Sequence, residues 1–203
     1  MPAPERRAEI LDAALEVFAA RGYHDSSLEE IASSAGISKA LIYEHFPSKR
    51  ELHAALLQDH VQELFRRLAE AAASAESGEL RLRAGVDAFL GFVEERRDGW
   101  RMLFRESSDP DVSEALRAMQ SQATAVVAAL IAAEPDGRAR GAPRRRRAIE
   151  MLAQQLTGAI QSLANWWAEH PGVPRRELVE QVMAFAWIGL ERLRDGERYD
   201  QAA

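Results

Sequence analysis

Cysteine is absent from the 203 residues. That excludes disulfide scaffolds, cysteine-ligated zinc or iron–sulfur sites and thiol nucleophiles. Proline and glycine number 8 and 12, too few for a fibrous or long disordered chain. Lysine is scarcer still. Of 26 basic residues, only Lys39 and Lys49 are lysines, and the others are arginine. The longest apolar run, 123–133, holds one threonine and no charge, and it falls far short of the ~20 residues of a membrane span. No membrane partner is expected. The first residues carry Glu5, Arg6 and Arg7 with no apolar segment behind them, so no secretory leader is expected and the cytoplasm is the expected location.

What is there is a globular composition: 47% hydrophobic, 29% charged, net charge −6. An acidic balance argues weakly against nucleic-acid binding by charge alone. No stretch shows the period-2 alternation of a strand, so the expected fold class is all-α. A first helix is expected over 4–20, with Ile10, Ala14, Val17 and Phe18 as its apolar stripe and Gly22 at its end. A second starts at Ser26 or Ser27, where Ser26–Glu29 and Ser27–Glu30 both have capping-box spacing. Gly36 breaks it. Ser38 caps a short third helix through His45, which Pro47 stops. A long fourth helix follows over about 48–75, with Ser48 and Glu51 at capping-box spacing. Further helices are expected over 79–97, 100–106, 110–133, 143–170 and 174–194. The break at Ala35-Gly36-Ile37-Ser38 has the form of a helix-turn-helix, clamped by Leu28, Ile31, Ala32, Ile37, Leu41 and Ile42.

Residues 27–52 resemble the helix-turn-helix of TetR-type transcriptional repressors. The resemblance rests on Ile31-Ala32, Gly36-Ile37-Ser38, Tyr43 and Phe46-Pro47-Ser48-Lys49, and the trailing Glu51-Leu52. It implies a DNA-binding head over 1–50 and a ligand-binding and dimerisation domain over 51–203, with the helix at 48–75 as connector. It also implies three partners: a double-stranded DNA operator, a small-molecule effector and a second copy of the chain. Two features depart from the family pattern. Ala40-Leu41 stands where members often have Gly-Thr, and residues 1–50 hold six basic against eight acidic groups, so any positive face must be local.

On that reading the helix at 38–45 enters the major groove with its start at the base edges. Lys39 reaches a guanine edge or a phosphate, Ala40 permits close approach, and Tyr43 and His45 meet the backbone. Ser27 and Ser38 offer hydroxyls at helix starts, although capping alone accounts for them. Lys49, at the N-terminus of the fourth helix, suits a phosphate. His53 and His60 lie seven residues apart, about 10.5 Å along a helix. That is too far for one ion, so no metal or cofactor is expected. The arginine-rich stretch 138–147, broken by Gly141 and Pro143, is read as a basic loop.

In the second domain, Phe89, Trp100, Phe104, Met119, Gln122, Val126, Met151, Gln155 and Trp166 make an expected pocket lining, mostly apolar with few polar groups. An ordinary core is the competing reading of the same residues. The last two helices are apolar on more than one side. Leu156, Ile160, Leu163, Trp167, Met183, Trp187 and Leu190 are expected at a homodimer interface. Ligand entering near residues 100–104 would shift that short helix and change the spacing of two recognition helices. The expected function is a ligand-responsive regulator, a repressor released by an apolar or aromatic molecule. The alternative is a helical small-molecule binder without DNA binding. No nucleophile–base pair or phosphate loop points to an enzyme.

Overall fold

The computed structural model describes residues 3–104, 110–133 and 142–194. They form α1 (Ala3–Arg21), α2 (Leu28–Ser34), α3 (Lys39–His45), α4 (Lys49–Ala73), α5 (Gly78–Glu95), α6 (Arg97–Phe104), α7 (Pro110–Ala133), α8 (Ala142–Glu169) and α9 (Arg175–Arg194). No strand occurs among the described residues, as the sequence implies. Most of the basic stretch 138–147 lies outside them. Two compact units result, one of Met1–Phe65 with Arg96–Ser113 and one of Arg66–Glu95 with Glu114–Ala203. The first unit therefore takes in α6 as well as the N-terminal helices.

Short-range chemistry sets the helix ends of the first unit. Ser27, not Ser26, caps α2: its hydroxyl accepts from the Glu30 amide at 3.2 Å, and the Glu30 carboxylate accepts from the Ser27 amide at 3.0 Å. Such a reciprocal cap contributes about 1 kcal/mol. Ser26 is buried and donates instead to the Tyr23 carbonyl at 2.8 Å. Gly36, at φ +65°, ends α2. The Gly36 amide meets the Ser33 carbonyl at 3.2 Å and the Ile37 amide meets the Ala32 carbonyl at 2.9 Å, the two bonds of a Schellman stop that requires left-handed backbone. Ser38 caps α3 and Ser48 caps α4. Ile10, Ala14, Phe18, Leu28, Ile31, Ala32, Ile42, Phe46 and Leu52 fill the core between them.

Lys49 ties the start of α4 to the loop after α1. Its ammonium donates to the carbonyls of Tyr23 at 2.7 Å, His24 at 3.2 Å and Ser26 at 2.8 Å. It also sits 4.6 Å from the centroid of the Tyr23 ring. Tyr23 packs in turn on Phe18 and His53, with ring centroids 5.7 and 4.8 Å away. Loop carbonyls left bare by helix ends thus meet one cation.

Deeper in this unit α6 packs on α1, with Trp100 fully buried. A Cβ at Gly99 would lie 2.9 Å from Leu15 Cδ1, so any larger residue would have to push the Leu15 side chain aside. His60 of α4 is buried beside it, and its Nδ1 donates to the Leu56 carbonyl at 3.0 Å. Burial holds the His60 imidazole below the ordinary histidine pKa, and Arg96 adds to this. The Leu56 carbonyl and the carboxylates of Asp59 and Asp12 oppose it.

In the second unit α5 packs on α9 and α8. Val86, Leu90 and Val93 meet a core that includes Leu156, Trp167, Val179, Val182 and Met183. Ion pairs edge this packing: Arg83 with Glu180 at 2.7 Å, and Arg175 with Asp87 and Glu94 at 3.1 Å each. The Thr124 and Thr157 hydroxyls, 3.1 Å apart, link α7 to α8.

Two predictions follow from the first unit. Replacing Lys49 by Met leaves loop carbonyls without their donor, so denaturant melts should show a loss of about 2 kcal/mol. Unchanged stability, with a salt slope for DNA binding lower by about one, would instead make Lys49 a phosphate contact. For His60, the unfolded chain takes up a proton near pH 6.5 that the folded chain refuses. Stability from the neutral imidazole is present above that pH and lost as the pH falls below it. The melting temperature of the wild type should therefore drop more between pH 7.5 and 5.5 than that of His60→Asn. Equal drops would contradict this.

Candidate nucleic-acid interface

Helix α3 is two turns long and holds itself in place with one side. Ile42 and the following Phe46 are buried, and α3 packs on α2. The opposite side, with Lys39, Ala40, Tyr43 and Glu44, faces solvent. Ser38 is exposed and its hydroxyl accepts the Leu41 amide at 3.2 Å. His45 is half-buried at the C-terminal end. Ser27 is half-buried and its hydroxyl is taken by the cap of α2. Arg7 stacks over Phe46, 5.5 Å from the ring centroid, bringing the N-terminal part of α1 beside the end of α3.

Lys39 is not isolated. Its ammonium lies 2.6 Å from Glu29 Oε1, and the Tyr43 hydroxyl donates to the same carboxylate oxygen at 3.3 Å. The ammonium also lies 5.9 Å from the Tyr43 ring centroid. The Lys39 hydrogen bond holds the Glu29 carboxyl below the usual carboxylate range, and the same bond holds the Lys39 ammonium above the usual lysine range. Sequence reasoning missed Glu29. The turn at Gly36 brings the first turn of α2 against the first turn of α3, a pairing across ten residues that no single-helix period reveals.

Lys49 has a structural role that its sequence position does not reveal. The three N–H groups of its ammonium have three backbone carbonyls as acceptors. Its place in the sequence pattern is explained by the joint it closes.

The histidines divide by depth. His53 and His60 are buried and serve packing, and no group of three or more potential metal ligands occurs among the described residues. No described helix is long and apolar enough to cross a membrane.

The residues expected to line a pocket do not share one place. Trp100 belongs to the first unit and is fully buried. Met119 is buried and Phe89 half-buried in the second. Gln122 and Gln155 are exposed, as are Val126, Met151 and Trp166. The Phe104 side chain lies outside the described residues. The stripe expected to meet a partner is the one the protomer packs on itself. Leu156, Trp167 and Met183 are buried, and Ile160, Leu163 and Trp187 are half-buried. Leu190 lies outside the described side chains. The Trp167 indole N–H donates to the Val173 carbonyl at 2.7 Å, which anchors that stripe inward. The other stripe of α8, with Met151, Gln155, Ala159, Ser162 and Trp166, is left exposed, as are Gln181, Ala184, Phe185 and Ile188 on α9.

Comparison with known proteins agrees with this arrangement. Residues 10–56 match the family described as bacterial regulatory proteins, tetR family. Residues 79–189 match the tetracyclin repressor-like C-terminal domain. The HTH-type transcriptional activator FasR of Mycolicibacterium smegmatis is 34% identical over 196 residues, covering 95% of this chain and 86% of that protein. A TetR-like transcriptional regulator from Rhodococcus sp. RHA1 superposes with a TM-score of 0.78 at 28% identity, covering 94% of this chain and 98% of that one. The regulator FadR from Bacillus subtilis, solved in complex with stearoyl-CoA, shares the fold at a TM-score of 0.69 and 17% identity, over 94% of this chain and 99% of that one. An exposed, correctly capped third helix, two matched family segments and a relative similar along nearly the whole chain lead to one conclusion: this chain belongs to the TetR family of helix-turn-helix DNA-binding transcriptional regulators.

Proposed function

We propose that a homodimer of this regulator reads an operator with its two α3 helices, and that an apolar small molecule bound in the second unit lowers the affinity for DNA. The observation that carries the DNA part is the exposed face of α3. Lys39, Ala40 and Tyr43 face outward while Ile42 and Phe46 are fixed in the core. A helix held from behind presents side chains to a major groove without first having to order itself. Lys39 and Ala40 take the base edges and Tyr43 and His45 the phosphates. Ser27 and Ser38 contribute through helix starts whose hydroxyls already serve as caps.

The apolar character of the ligand is supported by the interior of the second unit. Among its described residues the buried polar side chain is Thr124, already paired with Thr157. A charged ligand group would find no buried counter-charge there. Phe89 and Met119 are the inward-facing candidates. Stearoyl-CoA, seen with FadR, is the first probe to try, with stearic acid beside it: the acyl chain suits an apolar interior, whereas the charged CoA part would have to stay outside it. The signal has a covalent route: α5 of the second unit and α6 of the first are separated by Arg96 alone. FasR is named as an activator. Ligand-driven release of DNA represses or activates depending on where the operator lies, so the proposal concerns DNA affinity.

For the dimer, the exposed stripes of α8 and α9 supply the surface. Met151 is 58% exposed, Trp166 45%, Phe185 70% and Ile188 53%. Ala159, Ser162 and Ala184 between them are small enough for close helix crossing. Apolar side chains in such a row signal a partner, and a two-fold pairing of the same surface satisfies both copies.

Selection from a random duplex pool should yield an operator that the protein binds in preference to random DNA by fluorescence anisotropy. Lys39→Ala should weaken operator binding by about tenfold. A protein that binds every duplex alike would favour the non-DNA-binding alternative. Phe185→Glu should convert the dimer to a monomer in sedimentation velocity. A wild type that sediments as a monomer at micromolar concentration would remove the dimer from the proposal.

A further inference from the structure

The recognition helix offers one lysine to DNA, and that lysine is already engaged. Lys39 Nζ and Glu29 Oε1 are 2.6 Å apart. Glu29 lies in the first turn of α2, where a carboxylate suits the helix dipole, but it takes no part in the cap. The cap of α2 is made by Ser27 and Glu30, and Glu30 also receives Arg21. Both partners of the Lys39–Glu29 pair are largely exposed, with side chains 65% and 45% accessible, so the pair contributes little to folding. Its consequence lies in the electrostatics of the DNA-facing surface. Sequence-independent binding is driven by cations that replace condensed counterions on phosphates. A lysine paired with a carboxylate presents almost no net charge to a distant phosphate. It becomes available only when an acceptor at hydrogen-bond distance takes the place of Glu29.

We propose that Glu29 is a specificity-determining residue, which holds Lys39 in a neutral pair and suppresses binding to DNA that offers no matched acceptor. Random duplex meets a head whose foremost cation is masked. A matching operator places a base-edge or phosphate acceptor next to Lys39 and the Tyr43 hydroxyl, and the pair exchanges partners. Discrimination therefore arises by lowering the affinity for the wrong DNA rather than by adding a contact to the right one. Tyr43, which donates to Glu29 and flanks Lys39, is released by the same exchange. The inference deepens the DNA-reading role proposed for Lys39 and rests on it.

The test uses the full-length protein, a selected operator duplex and a random-sequence duplex of equal length, titrated by anisotropy at several salt concentrations. Glu29→Gln should tighten binding to random DNA by roughly tenfold at 0.1 M salt and steepen its salt slope by about one unit per bound head. Operator affinity should rise less, so the operator-to-random ratio falls. In a Lys39→Ala background the same Glu29→Gln change should leave the salt slope unaltered and tighten random-DNA binding far less, through relief of repulsion alone. Equal tightening with and without Lys39 would reduce Glu29 to bulk charge repulsion and overturn the proposal. Weaker operator binding by Glu29→Gln would make Glu29 a positioning residue and also overturn it. If the wild type prefers no operator, the DNA-reading role itself fails, and this result is distinguishable from both.

Discussion

The ammonium of Lys49 is the joint on which the head is built. Three backbone carbonyls of the loop after α1 converge on it, and the Tyr23 ring lies beneath it. Without it, the loop would leave carbonyls facing each other at the edge of an aromatic cluster. With it, α1, the start of α2 and the start of α4 share one point. The geometry suits lysine rather than the arginine that makes up most of the basic residues. A tetrahedral ammonium supplies three divergent donors from a point, whereas a guanidinium supplies donors in one plane. Helix α3, between α2 and α4, inherits its position from this joint and from Ile42 and Phe46 behind it.

The other lysine has the opposite role. Lys39 is exposed, and its partner is a side chain that can be exchanged. Together the two lysines show how a chain of net charge −6 can still present a DNA-reading surface. One cation closes a structural joint, and the other is paired with Glu29, which on the proposed reading holds it in reserve for DNA. Other charges of the first fifty residues are paired too, Arg21 with Glu30 and Arg6 with Glu9 among them.

Much of this was legible in the sequence, for physical reasons. Helix starts and stops depend on neighbours within five residues, so Ser38, Gly36, Pro47 and Ser48 marked their elements directly. Ser26 and Ser27 had equal claims to the α2 cap, and the hydrogen bond from Ser26 to Tyr23 decided between them. For Lys49 the sequence leaves two readings, because a position at a helix N-terminus fits a phosphate ligand and a structural clamp equally well. The carbonyls that separate the two readings lie 23 to 26 residues earlier in the chain. Helices α8 and α9 read as apolar on more than one side. Which side of α8 packs inward is set by the contacts with α5 and α9, to which the Trp167 indole adds a hydrogen bond to the Val173 carbonyl, and helical periodicity does not encode such contacts. Pocket residues were the least legible, since a core and a cavity lining use the same side chains.

The central claim is that α3 reads the edges of bases in the major groove from a head whose shape is set in advance. Methylation interference on the selected operator tests it most directly, because dimethyl sulfate modifies guanine N7 on the major-groove edge and adenine N3 on the minor-groove edge. The account predicts interference at guanine N7 in two half-sites on one face of the duplex, separated by about one helical turn or a multiple of it. Interference confined to adenine N3, or none at guanines within the protected region, would place the contact elsewhere and contradict the account.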